Sequence, residues 1–270
     1  MNKSIPGIHH ITAIASDPQR NVDFYTNVLG LRLVKLTVNF DDPSTYHLYF
    51  GDERGSPGTL LTFFPWPGAA RGQLGTGQVG ATAFTVPEGA LDYWEDRMQK
   101  QEAAFLKRQW RFDEEILTFL DSDWMPLELV ARPGADALAP WEGGGIPLEY
   151  AIRGFDGVTM WEKDLAPSLD LLTGTMGFSI VGEDGPRVRL QAAADGPASL
   201  VDLLQLPGGQ RGRHGPGTVH HVAWRTPDDA EQQGWREDVA KLGLRVTQVI
   251  DRQYFRSIYF REPGGVLFEI

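Results

Sequence analysis

The stretch Val219-His220-His221-Val222-Ala223-Trp224 decides the fold, because a matching phrase, Ile8-His9-His10-Ile11-Thr12-Ala13, occurs 211 residues earlier. Each phrase is an apolar, β-prone run that contains two adjacent histidines. Each continues to an aspartate and a proline, at positions 17–18 and 227–228, that are typical of a helix start. Four of the chain's six histidines lie in these two places. We therefore interpret the chain as a scaffold that brings two strands together around a metal ion.

Clusters of glycine and proline divide the chain into four blocks, each of which we predict to be one βαβββ unit. The blocks are residues 7–65, 78–132, 152–206 and 218–270. The middle blocks are weaker copies and carry Ala81 and Gly157 where the outer blocks carry histidine. The fourth block is expected to continue after its helix with strands at 245–250, 257–261 and 266–270.

A unit of this size cannot bury both faces of its sheet, so the units must pair. We predict an α+β fold in which four βαβββ modules form two clefts lined by curled sheets, with helices outside. We expect an N-terminal domain at residues 1–140 and a C-terminal domain at residues 145–270. The metal site is then shared by the first and last modules.

Composition excludes several classes of function. Among the 270 residues, 36 acidic and 25 basic side chains give a net charge of −11, which argues against nucleic-acid and anionic-membrane partners. The absence of cysteine excludes disulfides, thiolate metal sites and cysteine nucleophiles. The N-terminal stretch lacks the apolar core of a signal peptide, and no apolar run approaches the roughly 18–20 residues of a membrane span. We expect a cytoplasmic protein, and a homo-oligomer is compatible with the sequence.

His10, His221 and Glu269 are the candidate metal ligands. Glu269 lies in an apolar strand, where a carboxylate without a partner is costly to bury. Two imidazoles and one carboxylate can occupy one face of an octahedral ion and leave three positions for substrate and O₂, as in non-haem Fe(II) oxygenases. These ligands suit Fe(II) or Mn(II), and other divalent ions can also bind. Because strand side chains alternate, the residues alone do not decide which histidine of each pair binds the ion.

Three other candidates have simpler interpretations. Glu128 is the repeat counterpart of Glu269 but has no histidine partners, so we interpret it as structural or solvated. His47 lies in mid-strand and could face the cleft, although a half-buried strand histidine is the simpler interpretation. His214 is expected in an exposed loop.

The chain resembles the vicinal oxygen chelate superfamily (glyoxalase, bleomycin resistance, extradiol dioxygenase) along essentially its whole length. Within that superfamily it is similar to the ring-cleaving dioxygenases that act on hydroquinones. The motifs that carry the resemblance are Gly7-Ile8-His9-His10-Ile11-Thr12, Leu29-Gly30-Leu31, Tyr46-His47-Leu48-Tyr49-Phe50-Gly51-Asp52, His220-His221 and Pro263-Gly264-Gly265-Val266-Leu267-Phe268-Glu269. Members of the subgroup usually continue into a tail after this glutamate, whereas this sequence ends at Ile270.

The resemblance implies roles for eight residues. It implies that the second histidine of each pair, His10 and His221, binds the metal with Glu269. It implies contacts of Thr12, Arg252 and Tyr259 with substrate, and catalytic roles for Tyr259, Arg252, His9 and His220. Tyr259 would donate a hydrogen bond or exchange a proton, Arg252 would stabilise negative charge, and His9 or His220 would act as acid or base.

The implied function is an Fe(II)-dependent, extradiol-type dioxygenase that opens the ring of a hydroquinone or catechol and inserts both atoms of O₂. The partners are then a small aromatic substrate and O₂. One alternative is a glyoxalase-like metal-dependent isomerase or thiol transferase. Such enzymes usually carry a second carboxylate ligand, and Thr62 or Phe63 stands at the matching position here. The other alternative is a metal-free protein that confers resistance by binding an aromatic compound or drug.

Overall fold

The structure is a computed structural model that describes residues 3–194, 196–252 and 255–270. Its strands form one sheet of seven strands, one of eight and a two-stranded hairpin. In chain order the strands are β1 (Ile8–Ala15), β2 (Arg32–Val38), β3 (Tyr46–Gly51), β4 (Leu60–Pro65), β5 (Gln78–Pro87), β6 (Phe105–Arg111), β7 (Glu114–Leu120), β8 (Pro126–Arg132), β9 (Phe155–Glu162), β10 (Ser179–Asp184), β11 (Arg187–Gln191), β12 (Leu200–Gln205), β13 (Thr218–Trp224), β14 (Ile250–Asp251), β15 (Arg256–Ser257), β16 (Tyr259–Arg261) and β17 (Leu267–Glu269).

Each module contributes one α-helix. The helices are α1 (Pro18–Asp23), α2 (Leu91–Lys100), α3 (Ala166–Leu169) and α4 (Asp229–Lys241). Two of them continue as π-helical turns, α1 through Phe24–Val28 and α3 through Asp170–Thr175. Short 3₁₀ turns lie at Ala135–Ala137 and Glu142–Gly144. No helix within the described ranges is long and apolar enough to cross a membrane.

The two large sheets show which modules pair. The seven-stranded sheet has the order β16-β17-β13-β1-β4-β3-β2 and joins the first module to the fourth. The eight-stranded sheet has the order β10-β11-β12-β9-β5-β8-β7-β6 and joins the second module to the third. This architecture agrees with the predicted α+β fold of four βαβββ modules. The division into domains at residues 140 and 145 stays a prediction, and each sheet takes strands from both halves of the chain.

Local sequence explains how α1 begins and why it widens. The carboxylate of Asp17 accepts a hydrogen bond from the Arg20 amide at 2.8 Å, and Pro18 stands at the first helical position, as predicted. The Thr26 hydroxyl donates to the carbonyl of Val22 at 2.7 Å, and Thr173 makes the same bond in α3. Such a bond competes with the helical ladder, so it accompanies the wider π-turn in both repeats.

The fourth module differs from the strands predicted after α4. The strand expected at residues 245–250 is reduced to a single bridge between Val246 and Phe260, followed by β14. The cause is solvent exposure, since four of the six residues at positions 245–250 are exposed and Val246 is the one that packs against the core. The strand expected at residues 257–261 is divided into β15 and β16.

Four residues occupy the same position in the last strand of their modules, because each pairs with the equivalent residue of the first strand. They are Thr62, Glu128, Asp202 and Glu269. Thr12 pairs with Thr62, and Ala83 pairs with Glu128 in the second module. Thr159 pairs with Asp202, and Ala223 pairs with Glu269 in the third and fourth modules. The position equivalent to Glu269 in the first module is therefore Thr62 rather than Phe63.

The second cleft contains ion pairs around Glu128 and Asp202, at the positions equivalent to Glu269 and Thr62 in the first cleft. Arg111 makes two hydrogen bonds to the carboxylate of Glu128, at 2.6 and 3.0 Å, and lies 3.6 Å from Asp202. Arg187 and Arg189 also bind Asp202, at 2.9 and 2.7 Å. Glu128 is 4 % exposed. Of the two interpretations from the sequence, the structural one is therefore confirmed, and the solvated one is wrong.

Candidate metal centre

The three predicted ligands meet in the seven-stranded sheet. His10 lies on β1 and His221 on the adjacent antiparallel β13, while Glu269 lies on β17 at the other side of β13. The two Nε2 atoms are 3.3 Å apart, and Glu269 Oε2 lies 2.9 Å from His221 Nε2 and 3.5 Å from His10 Nε2. The exposed fractions of His10, His221 and Glu269 are 7 %, 4 % and 3 %. Within the described residues, these are the ones grouped closely enough to hold a metal ion.

Two β-bulges bring both members of each histidine pair to this place. The β1–β13 ladder slips by one residue between Ile8 and His10 and again at Thr12, where His221 is followed in the register by Val219. The extra residues are His9 and His220, one in each strand. Alternation alone would have pointed them away from the cleft.

Each bulge histidine contacts the histidine beside it. His9 Nδ1 lies 3.0 Å from His10 Nδ1, and His220 Nδ1 lies 2.9 Å from His221 Nδ1. If Nε2 of His10 and of His221 binds a cation, the ring proton of each sits on Nδ1 and is donated to the neighbouring ring. His9 and His220 are then acceptors at Nδ1 and carry their own protons on Nε2.

The pKa values of the bulge histidines fit that acceptor role. Burial, followed by the charge of His10, lowers the pKa of His9 to about 4. Burial, followed by the charge of His221, lowers the pKa of His220 to about 3. Both rings are therefore neutral near pH 7.

Glu269 is charged in spite of its burial. Burial raises the pKa of its carboxyl, but the imidazoles of His10 and His221 outweigh burial and hold the pKa well below its usual range. Within the described residues, Oε2 has no aligned hydrogen-bond donor. Three buried lone pairs thus converge on one point, and a divalent cation satisfies all of them. Imidazole and carboxylate donors without thiolate suit Fe(II), Mn(II) or Zn(II).

Tyr259 and Arg252 lie beside the ligands. Tyr259 pairs with Glu269 across β16 and β17, and its ring centroid is 5.7 Å from that of His221. Burial, with a contribution from Glu269, raises the pKa of the Tyr259 phenol above its usual value, so it stays protonated. The Arg252 guanidinium lies 5.2 Å from the centroid of the Tyr259 ring and donates a 2.8 Å hydrogen bond to Asp41.

A small cavity reaches the ligands. It has a volume of about 230 Å³ and is lined by His9, His10, Phe255 and Glu269 together with residues around the start of α4, whereas His221, Thr12 and Tyr259 do not line it. Phe255 packs near both histidine rings, at centroid distances of 6.3 and 6.1 Å. Phe255 carries no signal in the sequence that would have singled it out.

Thr12 and His47 belong to one polar row on the cleft face. Thr12 is fully buried, and its hydroxyl lies 2.8 Å from that of Thr62. His47 Nε2 lies 2.9 Å from the same Thr62 oxygen, so His47 is half-buried, as interpreted, and also faces the cleft. His214 is half-buried rather than exposed, because its loop packs near the ring of His220 at 6.1 Å.

Comparison with protein families agrees with the fold and with the repeats. The family model described as the glyoxalase/bleomycin resistance protein/dioxygenase superfamily matches residues 7–121 and again residues 154–270. The chain belongs to this superfamily.

Two relatives are similar to nearly the whole chain. The chain is 50 % identical over 270 residues to a Bacillus subtilis (strain 168) protein provisionally named ring-cleaving dioxygenase MhqO, covering 100 % of this chain and 85 % of that protein. It is 34 % identical over 275 residues to the chlorohydroquinone/hydroquinone 1,2-dioxygenase of Sphingobium indicum, covering 98 % of this chain and 84 % of that enzyme.

A solved structure has the same fold. This Bacillus subtilis structure, provisionally described as a dioxygenase, superimposes with a TM-score of 0.93 at 48 % identity, covering 99 % of this chain and 85 % of that chain. The superfamily predicted from the paired histidines and the terminal glutamate is confirmed. The names of these relatives support the prediction that this chain is a ring-cleaving dioxygenase.

Proposed function

We propose that this protein is an Fe(II)-dependent, extradiol-type dioxygenase that cleaves the ring of a hydroquinone or catechol and inserts both atoms of O₂. The observation that carries the proposal is the convergence of His10 Nε2, His221 Nε2 and Glu269 Oε2 at a buried point. The names of the relatives support the substrate class, because one of them is a chlorohydroquinone/hydroquinone 1,2-dioxygenase.

The residues of the site have different roles in this proposal. His10, His221 and Glu269 would hold Fe(II), which supplies Lewis acidity, electron transfer and adjacent positions for two reactants. His9 and His220 fix the tautomers of the ligand imidazoles through their Nδ1 contacts at 3.0 and 2.9 Å.

Three further side chains act on the substrate in this proposal. Tyr259 keeps its proton and donates a hydrogen bond toward an oxygen near Glu269. Arg252, whose guanidinium lies 5.2 Å from the centroid of the Tyr259 ring, stabilises negative charge that develops there. Thr12 presents its hydroxyl from the floor of the cleft, where it faces His221 in the β1–β13 ladder.

The two alternatives differ from this proposal in their site chemistry. A glyoxalase-like isomerase or thiol transferase would need a second carboxylate, and the position equivalent to Glu269 in the first module holds Thr62. In a metal-free binding protein, the converging lone pairs of His10, His221 and the buried Glu269 would have no function.

Oxygen uptake tests the proposed function. Wild-type protein is prepared anaerobically with and without Fe(II), and an oxygen electrode records uptake with hydroquinone and with catechol. We expect iron-dependent uptake by the wild type and by Glu88→Gln, an exposed control, and loss of uptake in Glu269→Gln. Conversion of a methylglyoxal–thiol adduct without oxygen uptake would instead support the isomerase. Tight aromatic binding without any metal requirement would support the metal-free protein.

A further inference from the structure

A chain of hydrogen bonds leads away from the candidate metal centre across β1, β4 and β3. Thr12 Oγ1 lies 2.8 Å from Thr62 Oγ1, and Thr62 Oγ1 lies 2.9 Å from His47 Nε2. His47 Nδ1 lies 2.8 Å from the hydroxyl of Tyr49. Thr12 and Thr62 are fully buried, whereas His47 and Tyr49 are half-buried. The chain therefore runs from the floor of the cleft to its partly exposed wall.

The inner end of this chain adjoins the metal ligands. Thr12 follows His10 by two residues on the same strand, so both side chains point to the same face. Thr12 is also the partner of His221 in the β1–β13 ladder. The Thr12 hydroxyl thus belongs to the surface on which a substrate oxygen would rest.

Ring packing fixes the middle of the chain. The His47 ring centroid lies 4.1 Å from that of Tyr49 and 4.4 Å from that of Phe64. The imidazole is therefore packed against two aromatic rings, with one nitrogen toward Thr62 and the other toward Tyr49. This orientation keeps both of its hydrogen bonds in place at once.

Counting protons shows that the chain has two equivalent states. Each hydroxyl carries one proton, and neutral imidazole carries one, on either nitrogen. In one state every donor points from Thr12 toward Tyr49, and in the other every donor points back. Burial, followed by the charges of His10 and His221, lowers the pKa of His47 to about 2, so both states contain the neutral ring.

We propose that Thr12, Thr62, His47 and Tyr49 form a proton relay that carries the substrate's hydroxyl proton out of the metal centre. The inference rests on the proposed function, in which Fe(II) held by His10, His221 and Glu269 would supply Lewis acidity that favours loss of the proton from the substrate's hydroxyl group. The ligands around that oxygen are at most 7 % exposed, so the proton needs a path to water.

The transfer balances without any further reactant. The substrate O–H bond breaks and its proton joins Thr12 Oγ1, whose own proton passes to Thr62. The Thr62 proton passes to His47 Nε2 as the Nδ1 proton passes to the Tyr49 oxygen. The original Tyr49 proton leaves to water, and the electron pair of the broken bond stays on the substrate oxygen. Rotation of the hydroxyls and a tautomer change of His47 restore the first state.

Proton release on binding tests the relay without turnover. Hydroquinone is mixed anaerobically with Fe(II)-loaded protein, and a pH indicator follows proton release in a stopped-flow instrument. Thr62→Val keeps the shape of the side chain and removes the linking hydroxyl, whereas Thr62→Ser keeps the hydroxyl. Tyr46→Phe is the matched control, because Tyr46 lies on the same strand as Tyr49 but is 53 % exposed.

We expect Thr62→Val to release the proton about 100-fold more slowly or slower still, with unchanged iron content, whereas Thr62→Ser and Tyr46→Phe match the wild type. Equal rates in the wild type and Thr62→Val would overturn the relay alone. If the wild type releases no proton with hydroquinone, the proposed function fails, and the relay fails with it.

A second readout uses the protein without metal. Long-range ¹H–¹⁵N spectra of histidine-labelled protein report the state of each nitrogen of His47. We expect Thr62→Val to shift the Nε2 resonance and Tyr49→Phe to shift the Nδ1 resonance, each with a change in tautomer ratio. Unchanged resonances in both variants would show that the hydrogen-bond chain does not exist and would overturn the proposal.

Discussion

Replacement of Arg111 by methionine tests whether ion pairs hold the second cleft together. Arg111 is 8 % exposed and makes two hydrogen bonds to Glu128, which is 4 % exposed. The substitution leaves the buried Glu128 carboxylate without its hydrogen-bonded guanidinium and removes the 3.6 Å contact with Asp202. Removing one partner of a buried pair costs about 3–5 kcal/mol, so we expect this decrease in the free energy of unfolding.

The double variant Arg111→Met/Glu128→Leu separates the ion pair from the rest of the cleft. It removes the buried charge together with its partner, and such exchanges are often neutral or stabilising. We therefore expect the double variant to recover most of the stability that the single variant loses. Asp202 keeps its bonds to Arg187 and Arg189 in both variants.

Urea denaturation at pH 7, analysed by linear extrapolation, measures these differences. Arg54→Met is the control, because Arg54 is exposed and its replacement should change stability by less than about 0.5 kcal/mol. A loss below about 1 kcal/mol in Arg111→Met, the size expected for a surface pair, would refute the reasoning. A double variant as unstable as the single variant would also refute it.

Three shorter predictions concern the metal centre and a buried carboxyl group. Fe(II) at 100 times its dissociation constant should stabilise the folded protein by about 2.7 kcal/mol in thermal unfolding, and His10→Ala should show no such gain. His220→Ala removes the 2.9 Å contact to His221 Nδ1 and should weaken metal affinity about 10- to 100-fold in a chelator competition; unchanged affinity would contradict the tautomer assignment. Burial, together with Glu262, raises the pKa of Glu162 from 4.5 to about 8, so the stability from its neutral form is complete below pH 4.5 and is lost as the pH rises to about 8. Glu162→Gln should remove this slope of up to about 1.4 kcal/mol per pH unit in urea titrations, and parallel pH curves of the two proteins would contradict the assignment.

The repeat and its ligands could be predicted because their signals are local. The histidine pairs, the helix caps and the strand periods lie within short windows of sequence, and each recurs in a second module. Repetition made the two histidine pairs and Glu269 stand out without any knowledge of the pairing, and the resemblance to the superfamily implied that His10 and His221 are the ligands.

What could not be predicted depends on how distant strands pair. The bulges at His9 and His220 appear only when the β1–β13 register is known, and that register joins the two ends of the chain. The ion pair of Arg111 with Glu128 could not be predicted, because the two residues lie on different strands of the sheet. For the same reason the contact of His47 with Thr62 could not be read from either strand alone.

Iron content tests the central claim most directly. Wild-type protein and Glu269→Gln are loaded with Fe(II) under anaerobic conditions, desalted, and analysed for iron per chain. The convergence of His10, His221 and Glu269 predicts one tightly held ion per wild-type chain and almost none in the variant. A wild type that retains no iron, or a variant that retains as much as the wild type, would contradict the assignment of these residues as ligands.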